Sequence, residues 1–299
     1  MKHKIVIIVM VLLASTAFLS AQDLTVDYLE GYLDLQKGNS WVEIYMGDTI
    51  PRNAKIRLDE DSLAELSGMN MSFILTRPGI YTVEEMLSSR QTMNNSGLGN
   101  LVTGKVSALF SERATGPDTV GGIRASEAVA GPTVDWMTSE AADMISRARE
   151  MITQEDYQKA MDLLNEAMDY AVDEYEEGEI SFYRGYIHTV NGKAGRALAE
   201  FGAIDPDPDQ TFYDNLYLLK GKILIDSFAF DEALQWFDTY NPVLQTGEGL
   251  SVQQSIYLLH GLAAREAGMG TKASALFQKV VKLNPSSDTA AVAQSLLQE

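Results

Sequence analysis

The sequence predicts a multidomain chain, an N-terminal all-β unit followed by an all-α solenoid of about four helix pairs. Three observations lead there. Up to about Gly131 the chain runs in short alternating stretches broken by Gly, Asn, Asp and Pro, the texture of strands joined by turns. From about Asp135 onward proline is scarce and long amphipathic runs follow one another, the texture of helices. Within that second half, small and aromatic residues return at a nearly fixed interval.

Residues 1–21 stand apart from the rest. Lys2 and Lys4 form a basic start, Ile5 to Leu13 is an unbroken apolar run, and Ser20-Ala21 closes it with small residues. That is the build of a secretory signal peptide with cleavage expected after Ala21. The alternative is an uncleaved anchor, but the apolar run is shorter than the roughly 20 residues that span a bilayer. No transmembrane helix is expected after signal cleavage, which places the protein in the periplasm or otherwise outside the cytoplasm.

The β-unit is expected over residues 23–131, with strand segments in YLEGYLDLQKGNSWVEIYMGD, AKIRLDEDSLAELSG, MSFILTRPGIYTV, GKVSALF and VGGIRASEAV. Residues 88–100 read as an irregular insertion. A linker over 132–141 follows, with Gly131-Pro132 at the junction, and the helical unit covers 142–299.

In the helical unit Gly185, Gly221 and Gly261 are each followed twelve residues later by alanine (Ala197, Ala233, Ala273) and four further on by phenylalanine (Phe201, Phe237, Phe277). A weaker copy precedes them as Ala148, Ala160 and Leu164. Antiparallel helices approach closely only where side chains are small, so the glycine and alanine of each copy mark a crossing that the phenylalanine fills. Asn284-Pro285 ends the last long helix, and Gly268 suits the left-handed conformation at the end of the helix before it. Asp205-Pro206-Asp207-Pro208 and Asn241-Pro242 cut the second helices of the middle copies short, and residues 287–297 form a final capping helix.

This pattern of an aromatic, a glycine, alanine and phenylalanine four apart and a closing proline resembles the tetratricopeptide repeat. The β-unit is similar to FecR-like domains at Gly31, Trp41, Gly47-Asp48, Ile56, Ser62 and Ala64-Glu65-Leu66. Residues 121–127, Gly-Gly-Ile-Arg-Ala-Ser-Glu, look like a variant of that family's Val-Arg-Gly-Thr-Glu segment. FecR-type proteins relay a signal through a transmembrane helix to a cytoplasmic region. A chain with a signal peptide directly before the β-unit is not a complete relay of that kind, so the resemblance implies an envelope-located β-domain of binding or structural type.

Charge and composition narrow the function. With 23 basic against 42 acidic residues and a formal charge of −19, the chain would repel a phosphate backbone, so nucleic acid is not an expected partner. Cysteine is absent, which excludes disulfides, a lipidated N-terminal cysteine, thiol catalysis and cysteine-ligated metals. Beyond the signal segment the histidines are His188 and His260, on different copies of the repeat, so a histidine-rich metal site is not expected. No nucleophile elbow, phosphate-binding loop or dinucleotide turn is found in the sequence. The acidic runs Asp59-Glu60-Asp61, 173–179 and Asp205/Asp207/Asp209 lack EF-hand spacing and read as solvated loops. No catalytic, metal or cofactor-binding residue is therefore assigned, and the protein is expected not to be an enzyme.

The remaining candidate is a surface. The first helix of each copy should line a groove, with Phe182, Tyr186 and Thr189, then Leu218, Lys222 and Ile225, then Leu258, Leu262 and Arg265 on one helical face at i, i+4 and i+7. Tyr186, Lys222 and Arg265 are the best candidates for contact. The expected function is a non-enzymatic cell-envelope scaffold or adaptor that binds a protein or peptide partner. One alternative is a cell-wall glycan-binding module or cell-wall enzyme using acidic residues of the β-unit, and another is a component of an envelope signalling system.

Overall fold

The computed structural model describes residues 23–68, 71–88, 139–243 and 248–298, and the chain divides into two compact units, Met1–Ser96 and Gly97–Glu299. The expected signal peptide, the expected strands near 104–110 and 120–129 and the Gly131-Pro132 junction lie outside the described residues.

In the first unit the described residues form eight strands: β1 (Leu24–Glu30), β2 (Leu33–Lys37), β3 (Ser40–Ile44), β4 (Thr49–Ile50), β5 (Lys55–Leu58), β6 (Leu63–Gly68), β7 (Met71–Leu75) and β8 (Gly79–Thr82). They form two four-stranded antiparallel sheets, ordered β4-β1-β6-β7 and β3-β2-β5-β8. Alternation decides the faces. Leu33 and Leu35 of β2 point inward with Ile56 and Leu58 of β5, to meet Leu24 and Leu66 of the other sheet in one core. Asp34 and Arg57 point outward and pair at 2.5 Å. The β2–β3 hairpin closes over Gly38-Asn39, and Gly38 takes φ 62°, the positive angle that suits a first central position in a two-residue hairpin. After β8 the chain is helical over 83–88, inside a unit expected to be all-β; Val83 and Leu87, four apart on that turn, both enter the β core.

In the second unit the described residues form nine helices: α1 (Glu140–Thr153), α2 (Tyr157–Met168), α3 (Glu174–Val190), α4 (Ala194–Gly202), α5 (Tyr213–Asp226), α6 (Phe230–Asp238), α7 (Glu248–Glu266), α8 (Gly270–Leu283) and α9 (Asp288–Gln298). They pack as successive antiparallel pairs, α1 with α2 through α7 with α8, and α9 closes against α7 and α8. The short second helices α4 and α6 have nine residues each against fourteen in α8, as the prolines downstream of them require.

All four pairs turn in the same way. Three residues separate the helices, and the middle one is left-handed: Glu155 (φ 60°), Gly192 (φ 69°), Phe228 (φ 62°) and Gly268 (φ 76°). In each turn the following residue donates its N–H to the carbonyl five back, as Asp156 to Met151, Lys193 to His188, Ala229 to Leu224 and Met269 to Ala264. This is the Schellman arrangement, which pairs carbonyls that a helix end leaves open.

Three of the pairs close through glycine. Gly185, Gly221 and Gly261 are buried, each with the phenylalanine sixteen residues on lying against its Cα, so the ring occupies the space that a side chain would fill. Sequence reading expected glycine opposite alanine. The structure puts glycine opposite phenylalanine, with Ala197, Ala233 and Ala273 buried one helical turn earlier on the second helix.

Candidate functional site

The nine expected groove residues divide by burial. Phe182, Ile225, Leu258 and Leu262 are buried, which corrects their assignment as contact residues: each packs inside the helical stack. Phe182 stacks on Phe212 at 5.0 Å, for example. Tyr186, Thr189, Leu218, Lys222 and Arg265 are half-buried and keep some surface. Several of their contacts are local. Thr189 Oγ1 donates to the Gly185 carbonyl at 2.9 Å, Lys222 pairs with Asp226 one turn on, and Arg265 Nε lies 3.7 Å from Glu266. Burial pushes the Tyr186 hydroxyl up to about 12, with Tyr157 and Glu155 adding to the effect, so it stays a neutral donor.

Ala148, Ala160, Leu164, Ala197, Phe201, Ala233, Phe237, Ala273 and Phe277 are all buried, and Pro285 is exposed just beyond α8. The residue before each glycine, which sequence comparison reads as a polar helix position, finds a partner on a second helix. Arg184 reaches Glu200 at 2.7 Å, Lys220 lies 4.2 Å from the centre of the Trp236 ring, and His260 Nε2 lies 2.9 Å from Asp238 Oδ1. Burial pushes His260 below its ordinary value against the pull of Asp238, whose carboxylate is shared with Lys272 at 2.5 Å. Burial likewise lowers Lys220 to about 8.

A polar and aromatic seam joins α5, α6 and α7. Tyr217 stacks on Trp236 at 4.2 Å and Tyr213 on Tyr240 at 5.7 Å. The Tyr240 hydroxyl donates to Asp214 Oδ1 at 2.6 Å, and Gln253 Nε2 donates to Asp214 Oδ2 at 3.2 Å and to the Val243 carbonyl at 2.6 Å. Burial raises the Asp214 carboxyl and these donors lower it, with burial prevailing. This network fixes the connection between α6 and α7. Sequence reading missed it, because its members lie up to 39 residues apart and carry no shared motif.

Among the described residues no group of three or more His, Asp and Glu is placed to hold a metal ion, and no helix is long and apolar enough to cross a membrane. The outward face of the β3-β2-β5-β8 sheet sets the Arg57 guanidinium 4.9 Å from the centre of the Trp41 ring, beside Asp34.

Residues 125–297, more than half of the chain, match the family described as T7SS, ESX-1 secretion system protein EccA1, N-terminal domain. No curated protein matches the sequence. The family match corrects the expected combination of a FecR-like domain with tetratricopeptide repeats. It spans the helical half and begins inside residues 121–127, the segment read as FecR-like. The physical reason is that the residues behind both resemblances do local work. The Gly and Phe spacing reports a close helix crossing. In the β-unit, Gly31 takes φ 79° and Ser62 Oγ accepts the Tyr32 N–H at 3.0 Å, tying one turn to another.

Proposed function

The chain belongs to the family of the EccA1 N-terminal domain, named for a protein of the ESX-1 secretion system, and from that membership we propose that its helical half is a protein-interaction module working with a secretion apparatus. The family match over the helical unit is the observation that carries this reading. The fold supports it. Four helix pairs, three of them closed by a glycine crossing, form a continuous scaffold, and Tyr186, Thr189, Leu218, Lys222 and Arg265 keep partial exposure on three successive first helices, offering a positive and aromatic contact set on an acidic protein. In this reading the protein is not an enzyme, and its N-terminal basic and apolar segment carries it out of the cytoplasm.

The test is affinity capture from detergent-solubilised envelope with the chain lacking residues 1–21 as bait, beside a Tyr186→Ala/Lys222→Ala/Arg265→Ala variant shown by circular dichroism to be folded. Recovery of one protein by the first bait and its loss from the variant is the expected result. Equal recovery by both would remove these residues from the interface.

A second reading, binding of cell-wall glycan by the β-unit, is favoured by the outward Trp41, Arg57 and Asp34, since an aromatic face flanked by planar polar groups suits a sugar ring. Binding of purified cell wall by the chain that a Trp41→Ala change abolishes would support it.

A further inference from the structure

The turn between α2 and α3 carries an apolar group that the fold leaves partly exposed. Within six residues Tyr170 is 44% exposed, Val172 74% and Tyr175 41%. Looseness does not explain this, because the turn is pinned at several points. Tyr170 N–H donates to the Ala167 carbonyl at 3.0 Å and Val172 N–H to Glu176 Oε2 at 3.0 Å. Glu176 N–H in turn donates to Asp173 Oδ1, the N-cap of α3, at 2.9 Å. Glu176 is also held by Ser139.

Val172 precedes that N-cap, where an apolar residue ordinarily packs on the residue five positions later to fix the entry of the chain. Here that position is Glu177, which is exposed. The valine is therefore presented outward by a fixed turn without its usual partner in the helix. Tyr175 continues the apolar group inward to Phe212, their ring centres 6.3 Å apart, and Phe212 stacks on Phe182 in the core.

Charge says what would cover this patch. Residues 169–179 include six carboxylates and no lysine or arginine. The neighbouring α4–α5 connection reaches α3 at Gly178, where Gln210, Phe212 and Ile204 close in. Residues 203–212 of that connection add Asp205, Asp207 and Asp209, again without a basic residue. Arg149, against Glu179 at 4.0 Å, supplies a positive charge to this edge from α1.

We propose that the α2–α3 turn docks a basic segment of a partner protein, one apolar side chain seated on Val172 and its tyrosine neighbours and lysines or arginines paired with the surrounding carboxylates. Apolar contact supplies the anchor, and the acidic rim supplies attraction and selectivity.

The test uses the chain lacking residues 1–21 and a fluorescein-labelled Lys-Lys-Phe-Lys-Leu-Lys-Lys peptide in a fluorescence anisotropy titration. Two variants are compared: Tyr170→Ser/Val172→Ser, which removes exposed apolar groups, and Asp169→Asn/Glu174→Gln/Glu177→Gln, which spares the Asp173 cap. Each is expected to weaken binding about tenfold, the loss in the charge variant shrinking as salt rises. Unchanged affinity in both variants overturns the proposal. So does equal binding of a peptide with serine in place of Phe and Leu, which would show a diffuse field alone. Concentration-dependent self-association that the Tyr170→Ser/Val172→Ser variant abolishes would make a second copy the occupant and overturn it as well. Tyr186, Lys222 and Arg265 are untouched in these variants, so the outcome is separate from that of the capture experiment.

Discussion

A side chain begun at Gly221 would run into Phe237: a Cβ there would lie within 3.0 Å of three atoms of the phenyl ring. Gly185 stands in the same relation to Phe201. Alanine at a helix interior ordinarily gains about 1 kcal/mol over glycine from propensity, so the overlap must be weighed against that gain. Overpacking costs about 1–3 kcal/mol, and neither ring has room to retreat from a fully buried site. Gly221→Ala is therefore expected to destabilise the helical unit in urea denaturation followed by circular dichroism. Adding Phe237→Leu to it should cost less than the sum of the two single changes; strict additivity would mean that the contact does not limit the site.

Glu155 and Phe228 occupy the left-handed position that glycine holds in the other two inter-helix turns. A residue with a Cβ gives up roughly 1 kcal/mol there. Glu155→Gly, at an exposed position, should raise the melting temperature, and Gly268→Ala should lower it by a similar amount. A fall in stability for Glu155→Gly would mean that unfolded-state entropy outweighs the relieved strain.

Gln254 is fully buried and connects three elements. Its Nε2 donates to the carbonyls of Val280 at 2.7 Å and Asn284 at 3.0 Å, and its Oε1 accepts from Ser287 Oγ at 2.8 Å. Ser287 Oγ in turn accepts the Ala290 N–H at the start of α9. Replacing Gln254 by leucine keeps the bulk but takes its amide donor from the Val280 carbonyl and its amide acceptor from Ser287, while Ser287 still donates to the Asn284 carbonyl, an expected loss of about 1–3 kcal/mol. The measurement is hydrogen exchange of α8 and α9, which should quicken in both helices. Protection unchanged in α9 would show that its docking rests on apolar contact alone.

His188 responds to acid. Burial first, and then Arg196, Lys193 and Arg184, push its imidazole from 6.5 down to about 4. The unfolded chain therefore binds the proton more readily than the folded one between those values, so stability falls as pH drops through that window and is fully present above 6.5. His188→Gln removes this dependence. The stability difference between the wild type and His188→Gln is expected to change by on the order of 1 kcal/mol between pH 7 and pH 4, after discount for the partly exposed ring. A pH-independent difference would show that the ring is solvated in the folded state.

How much of this was readable beforehand depends on the range of each interaction. Periodicity marked the second half as helical, set the final helix at 287–297 against the observed Asp288–Gln298, and marked Gly185, Gly221 and Gly261 as packing points. The prolines at 206, 208 and 242 foretold short second helices. The candidate groove was less legible. Phe182, Leu258 and Tyr186 share the same helical face in projection, yet the first two are buried and the third is half-exposed, because burial depends on which neighbouring helix covers that face.

The sequence alone determined the order of a β-unit and a helical unit, the helix-pair repeat and its glycines, the acidic surface and the lack of thiol chemistry. These follow from composition and from local spacing, which act within a few turns of chain. The tertiary structure decided that glycine faces phenylalanine, that Asp214 meets Gln253 across 39 residues, that Gln254 holds the final helix and that Val172 is left outward on a fixed turn. Those relations join residues distant in the chain, and only the packing of one helix pair on the next brings them together.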